Sequence, residues 1–175
     1  MLETASRSTR VRSFAPIADA NAGVLILGSM PGKASLAAGE YYAHPRNQFW
    51  PIMGVLAGAR PALAYPERTG ALRHAGMALW DVLESCQRAS SLDADIERAS
   101  RMPNDFVAFF ASHPRIACVY FNGATAEDCY RRLVRPMVAD FPLAYTRLPS
   151  TSPAHAGMTL AQKLAVWQRI VKPGP

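Results

Sequence analysis

The chain has 175 residues, half of them apolar, which suits one globular domain with a sizeable core. Its formal net charge is +6, and only three of its nineteen basic residues are lysines. Arginine forks pair with phosphate, so the balance accommodates a nucleic-acid partner, although a coding bias towards Arg gives the same numbers. Three widely spaced cysteines without a CxxC or Cys/His pairing argue against a zinc site or an iron–sulfur cluster. They read as reduced thiols of a cytoplasmic protein. No apolar run approaches the length of a membrane span.

The first stretch, residues 1–13, is basic and Ser/Thr-rich with no apolar core after it, and is expected to be a flexible tail ahead of a domain over 14–175. "GVLILGSM" (23–30) is a continuous apolar run ending at Gly28, as a buried parallel strand would be. A chemically mixed loop follows, and "FWPIMGVLAG" (49–58) then reads as a helix with Pro51 in its first turn. "PERTGALRHAG" (66–76) is a short helix, and "GMALWDVL" (76–83) a second strand carrying Asp81 near its end. The segment 84–102 reads as polar loop with a helical turn. Phe106, Phe109 and Phe110 share one face of a helix within 103–114. Strands are expected over 115–123 and 143–149, with a helix after each. Strand–helix alternation of this kind predicts a single α/β domain with a central four-stranded parallel sheet flanked by helices. Sites in such sheets lie beyond the carboxyl ends of the strands, where four polar turns are expected to converge: 29–32, Asp81, 122–123 and 150–155.

Each turn has a structural and a chemical reading. "GSMPG" is neither a P-loop nor a GxGxxG fingerprint, and its glycines suit a tight turn or the close approach of a flat partner. In "EYYAHPRNQFW" the adjacent Tyr41 and Tyr42 cannot easily both be buried, which leaves one ring to stack on a nucleobase or to plug the surface. Arg46 is either a phosphate contact or a solvated charge. Asn47 is placed to cap the following helix, or, if Pro51 moves the cap to Trp50, stands free on the loop. "LPSTSPAHAG" offers hydroxyl donors, two prolines and His155, a general acid, a phosphate contact or a surface residue. No GxSxG elbow supports a serine nucleophile.

Five segments in order, "ILGSMPG", "EYYAHPRNQFW", "GMALWDVLESC", "FNGATA" and "LPSTSPAHA", carry a resemblance that runs from about Phe14 to Val171. In these the chain resembles the uracil-DNA glycosylase superfamily, particularly its hypoxanthine-DNA glycosylases. The opening stretch is also similar to that of mismatch-specific uracil-DNA glycosylases. The resemblance implies a small α/β domain that hydrolyses the N-glycosidic bond of a deaminated base flipped out of single- or double-stranded DNA. It implies a monomer with no cofactor and no metal. The base pocket it implies comprises Gly28, Ser29, Met30, Tyr42, Phe49, Asp81 and Asn122, with Tyr42 as the stacking aromatic and Asp81 reading the base edge. DNA contacts fall on Lys33, Ser35, Arg46, Ser150, Thr151, Ser152, Pro153 and His155. Ser152 and Ala156 stand where many relatives carry a polar residue and a bulky wedge, so His155 is the candidate substitute. Met30 stands where many relatives carry the residue that orients water, a task a thioether cannot perform. The catalytic assignment therefore passes to Asn47, which matches the amide of the hypoxanthine-DNA glycosylases. Lys33 is read as a phosphate contact rather than a Schiff-base former.

Overall fold

The computed structural model describes residues 9–171. Four strands, β2 (Val24–Gly28), β3 (Met77–Asp81), β6 (Cys118–Asn122) and β7 (Ala144–Leu148), form one all-parallel sheet in the order β3-β2-β6-β7. The sequence explains why β2, inside the sheet, and β3, at its edge, are both covered on their two faces. Leu25, Ile26 and Leu27 are fully buried, as is every residue of β3, so these runs have no polar face to present to water. Burying each such side chain stabilises the fold by about 1.5–3 kcal/mol.

The helices are α1 (Lys33–Ala38), α2 (Phe49–Ala57), α3 (Tyr65–His74), α4 (Phe106–Ser112), α5 (Ala124–Leu133) and α6 (Leu160–Trp167). Helix α3 packs on β3, α5 on β6 and β7, and α6 on β7. The aromatic face predicted for α4 is real: Phe106 and Phe109 lie against Trp80 of β3. The loop after β2 also contains α1, a helix that the small residues of "GKASLAA" permit but do not announce. It ends at Gly39, whose left-handed backbone (φ 67°) closes the last turn.

A second sheet departs from the expectation. Strand β4 (Leu83–Arg88) runs antiparallel to β1 (Thr9–Arg12) on one side and to the short β5 (Met102–Pro103) on the other. Residues 84–88 therefore belong to a strand where loop was expected. Its alternation is masked because Ser85 and Arg88 are as buried as Leu83 and Cys86. The expected tail over 1–13 is corrected in part: Thr9–Arg12 is a paired strand, whereas the first eight residues lie outside those described. The two arginines of Thr9–Arg12 are used in that pairing. Arg10 donates to the Ser85 hydroxyl at 2.8 Å, and Arg12 meets Glu84 at 2.6 Å.

The order of the parallel strands reverses between β2 and β6. Loops leaving the carboxyl ends of those two strands depart in opposite directions and open a crevice there, the place where such sheets hold their ligands.

Candidate active site

A cavity of about 720 Å³ occupies this crevice. The turn after β2 forms its floor. There Gly28 does something other than admit a ligand to the backbone: a Cβ on it would lie 2.5 Å from Asp81 Oδ1 and 2.8 Å from the Tyr42 hydroxyl. The glycine makes room for the protein's own two site residues. Gly28→Ala is accordingly expected to displace both. A thermal melt should show a loss of about 1–3 kcal/mol, the usual cost of overpacking, and single-turnover base release should slow at least tenfold, on the order of 1.4 kcal/mol. The turn is held from behind by Arg88, a buried side chain whose guanidinium donates to the Pro31 carbonyl. Ser29 donates its hydroxyl to Asp93 at 2.7 Å, and Met30 lines the cavity as an apolar, almost fully buried side chain.

The two tyrosines separate by environment. Tyr41 is core: it is buried, its hydroxyl donates to the Ala15 carbonyl at 3.0 Å, and its own carbonyl accepts from Trp50 Nε1 at 2.9 Å. Tyr42 lines the cavity and stacks on Phe49, with ring centroids 4.1 Å apart and planes 23° from parallel. Phe49 is fully buried and does not line the cavity, so its expected contact with a base is corrected to a backing role behind Tyr42. Tyr42 adopts a left-handed backbone (φ 55°), uncommon for a bulky residue and costing about 1–2 kcal/mol. Its hydroxyl is buried without a hydrogen-bond partner. Burial and the charge of Asp81 push the phenol well above its ordinary range, and the Asn122 amide, near but outside hydrogen-bonding geometry, opposes this. Backbone strain and an unsatisfied hydroxyl thus coincide in one residue of the cavity wall.

Asp81, 3% exposed, ends β3 at the cavity floor and accepts from the Ser13 hydroxyl at 2.7 Å. Burial pushes its carboxyl up to about 7; the Ser13 bond opposes the shift, the charge of Asp93 adds to it, and that of Arg88 opposes it. Asn47 also lines the cavity. Helix α2 begins at Phe49 rather than at Pro51, and Asn47 Oδ1 accepts from the Phe49 N–H at 2.9 Å. The amide thus braces the helix entry and keeps one carbonyl lone pair and its N–H donors for other work.

The turns after β6 and β7 lock together. Asn122 donates Nδ2 to Thr151 Oγ1 at 2.9 Å and accepts from the Thr151 N–H at 2.9 Å. Half of its side-chain hydrogen-bonding capacity is therefore spent on joining loops. Thr151 is fully buried, and its carbonyl accepts from the Gln48 N–H, tying this clamp to the Asn47 loop. Gly123 starts α5 with φ 96°, and a Cβ there would press on Ser150 at 3.0 Å. Ser35, expected at DNA, is buried, and its hydroxyl accepts from the Ala43 N–H, so it shapes the tyrosine loop. Ser150, Ser152, Pro153 and His155 line the mouth, where Ser152 Oγ accepts from the Ala154 N–H and His155 is exposed. The His155 carbonyl accepts from Lys163 Nζ at 2.9 Å; this lysine of α6 is 1% exposed, and desolvation lowers its pKa. Lys33 and Arg46 stand exposed on the same rim. The mouth thus carries exposed basic side chains, and the interior holds the carboxylates of Asp81 and Asp93.

Sequence reasoning missed Asp93, Thr125 and Lys163. Asp93 stands in an acidic "DAD" run that looks like a solvated turn, and only its contact with Ser29 distinguishes it. Among the described residues no group of three or more His, Cys, Asp or Glu could hold a metal ion, and no helix is long and apolar enough to cross a membrane.

A parallel α/β sheet whose loop edge encloses an aromatic wall, a buried carboxylate and a braced amide beneath a basic rim has the layout of an α/β enzyme with its site at the strand ends. The family described as the uracil DNA glycosylase superfamily matches residues 15–171, and the chain belongs to it. It is 33% identical to a hypoxanthine DNA glycosylase of Methanosarcina acetivorans over 145 residues, 82% of this chain and 87% of that one. The corresponding protein of Methanosarcina barkeri is 33% identical over 127 residues, 72% of this chain and 78% of its own. The solution NMR structure of a Methanosarcina acetivorans protein provisionally assigned as a uracil DNA glycosylase superposes with a TM-score of 0.75 at 28% identity. It covers 93% of this chain and 99% of that one.

Proposed function

We propose that the chain excises deaminated bases from DNA, hypoxanthine first, by hydrolysing the N-glycosidic bond of a nucleotide extruded into the cavity. The observation that carries this reading is the buried Asp81 carboxylate at the end of a cavity walled by Tyr42. Deamination of adenine turns ring N1 from an acceptor into an N–H donor, and deamination of cytosine does the same at N3. An ionised Asp81 accepts from that N–H and repels the acceptor of the parent base, so it reads the chemical change that defines the lesion. The base stacks on the Tyr42 face opposite Phe49, a contact worth about 1–3 kcal/mol.

Asn47 positions the water. Its carbonyl oxygen, already fixed by the Phe49 N–H, has a second lone pair for a water hydrogen. The oxygen–C1′ bond forms as the N-glycosidic bond breaks, and the proton leaves with the base. The transition state is oxocarbenium-like, electrophilic enough that orientation rather than strong basicity is required. Lys33, Arg46 and His155 meet phosphates around the mouth. Action as a monomer completes the reading, and three free thiols support a cytoplasmic location.

The test is a panel of single- and double-stranded oligonucleotides carrying one hypoxanthine, uracil, xanthine or unmodified base, treated with enzyme and then with alkali. Strand breaks are expected at hypoxanthine above all. Breaks at uracil alone would make the chain a uracil-preferring enzyme. Absence of breaks on every substrate, with salt-dependent binding retained, would reduce it to a DNA-binding module.

A further inference from the structure

We propose that Asp93 is a second carboxylate of the reaction, facing the sugar of the extruded nucleotide and stabilising the positive charge that develops at C1′. The inference rests on the glycosylase reading and adds to it a residue from the loop between β4 and β5.

Asp93 lines the cavity and is held by the Ser29 hydroxyl at 2.7 Å. Gly28 and Ser29 are successive residues, with the Asp81 carboxylate standing over the first and the Asp93 carboxylate bonded to the second. Two acids are thus mounted side by side on one turn, and they sense each other's charge. Among the described residues, Asp93 forms no ion pair. Arg88, whose charge is felt at Asp93, instead holds the Pro31 carbonyl. Burial pushes the Asp93 carboxyl up, while the Ser29 and Thr125 hydroxyls and the charges of Arg88 and Arg101 favour its ionised form.

A half-buried carboxylate without an ion-pair partner costs the fold part of its hydration, and in a DNA-binding cavity it also repels phosphate. Such a charge is useful where a cation forms. In glycosidic hydrolysis that place is the sugar ring, one bond from the base that Asp81 reads. With Asp81 committed to the base edge, Asp93 is the cavity acid left for C1′.

The test uses duplexes in which the target nucleotide is replaced by a pyrrolidine, a cationic sugar mimic, or by a neutral tetrahydrofuran. The wild-type chain is expected to bind the pyrrolidine duplex at least tenfold more tightly. In Asp93→Asn that preference should shrink about tenfold, with tetrahydrofuran affinity and melting temperature unchanged or raised. Single-turnover release by the same variant should slow about tenfold or more, by the same factor for hypoxanthine and uracil. Ser29→Ala, which keeps the charge but frees it, should lose part of the preference and decides the question if Asp93→Asn does not fold. An undiminished pyrrolidine preference in the variants would overturn the proposal, as would a rate loss confined to one base or a parallel fall in rate, binding and melting temperature. Failure of the wild type to release any base is a different result: it rejects the glycosylase reading, and the pyrrolidine comparison still reports on Asp93.

Discussion

Asn47→Ala is expected to slow single-turnover release of hypoxanthine by two to three orders of magnitude, while affinity for the same duplex changes little. The size follows from removing one preorganised group from a transition state, about 3–4 kcal/mol. The separation of rate from binding follows from geometry, because the exposed Lys33, Arg46 and His155 stay at the rim whatever stands at residue 47. The variant also loses the bond from the Phe49 N–H to Oδ1, which resembles a helix cap and costs about 1 kcal/mol. A modest fall in melting temperature should therefore accompany the loss of rate without explaining it. Asn47→Asp retains an acceptor for Phe49 and for water, and should keep the stability and part of the activity. Rates within threefold of wild type in Asn47→Ala would remove this residue from the mechanism.

Asp81 couples activity to pH in one direction and stability in the other. Its carboxyl titrates at about 7 in the folded chain, against an ordinary value of 3.8, because burial penalises the charge. The charge of Asp93 adds to the shift; the Ser13 hydroxyl and Arg88 work against it. The ionised form is the stronger acceptor for the lactam N–H and the one that repels the parent base, so hypoxanthine release should fall as pH drops below about 7. For stability the sign is reversed. The folded state holds the proton more tightly than the unfolded chain, so this group's contribution is present below about 4 and is lost as pH rises to about 7. The loss is at most about 4 kcal/mol at pH 8. Asp81→Asn should flatten both profiles and melt at a higher temperature than wild type at pH 8. Asp81→Leu, which leaves the base N–H unpaired, should lose about two orders of magnitude in rate at that pH. Rates and melting temperatures measured from pH 5 to 9 test both limbs, and a rate profile unchanged by Asp81→Asn would show that this carboxylate does not read the base.

Much of the scaffold was legible because its signals are local. The apolar run of β2, the phenylalanine face of α4 and the turn glycines each follow from burial and periodicity within a few residues. The ordered site segments likewise placed Tyr42, Asn47 and Asp81 beside one cavity. What failed to show were features whose reason lies elsewhere in the chain. Strand β4 was hidden because Ser85 and Arg88 are buried against partners more than fifty residues away. Thr9–Arg12 looked like a tail because its pairing partner is β4. Phe49 was assigned to the base although its ring packs behind Tyr42.

By itself the sequence determined the α/β class, the family and the residue types available for chemistry, since hydrophobic period and motif order survive without coordinates. Only the tertiary structure decided which groups act together. It turned Tyr41 into core and Tyr42 into a wall, gave the space above Gly28 to Asp81 and Tyr42, and raised the Asp81 carboxyl by taking it out of water. It also brought Asp93 to Ser29 across sixty-four residues. Desolvation and contact between distant segments are properties of the packed chain, and no stretch of sequence carries them alone.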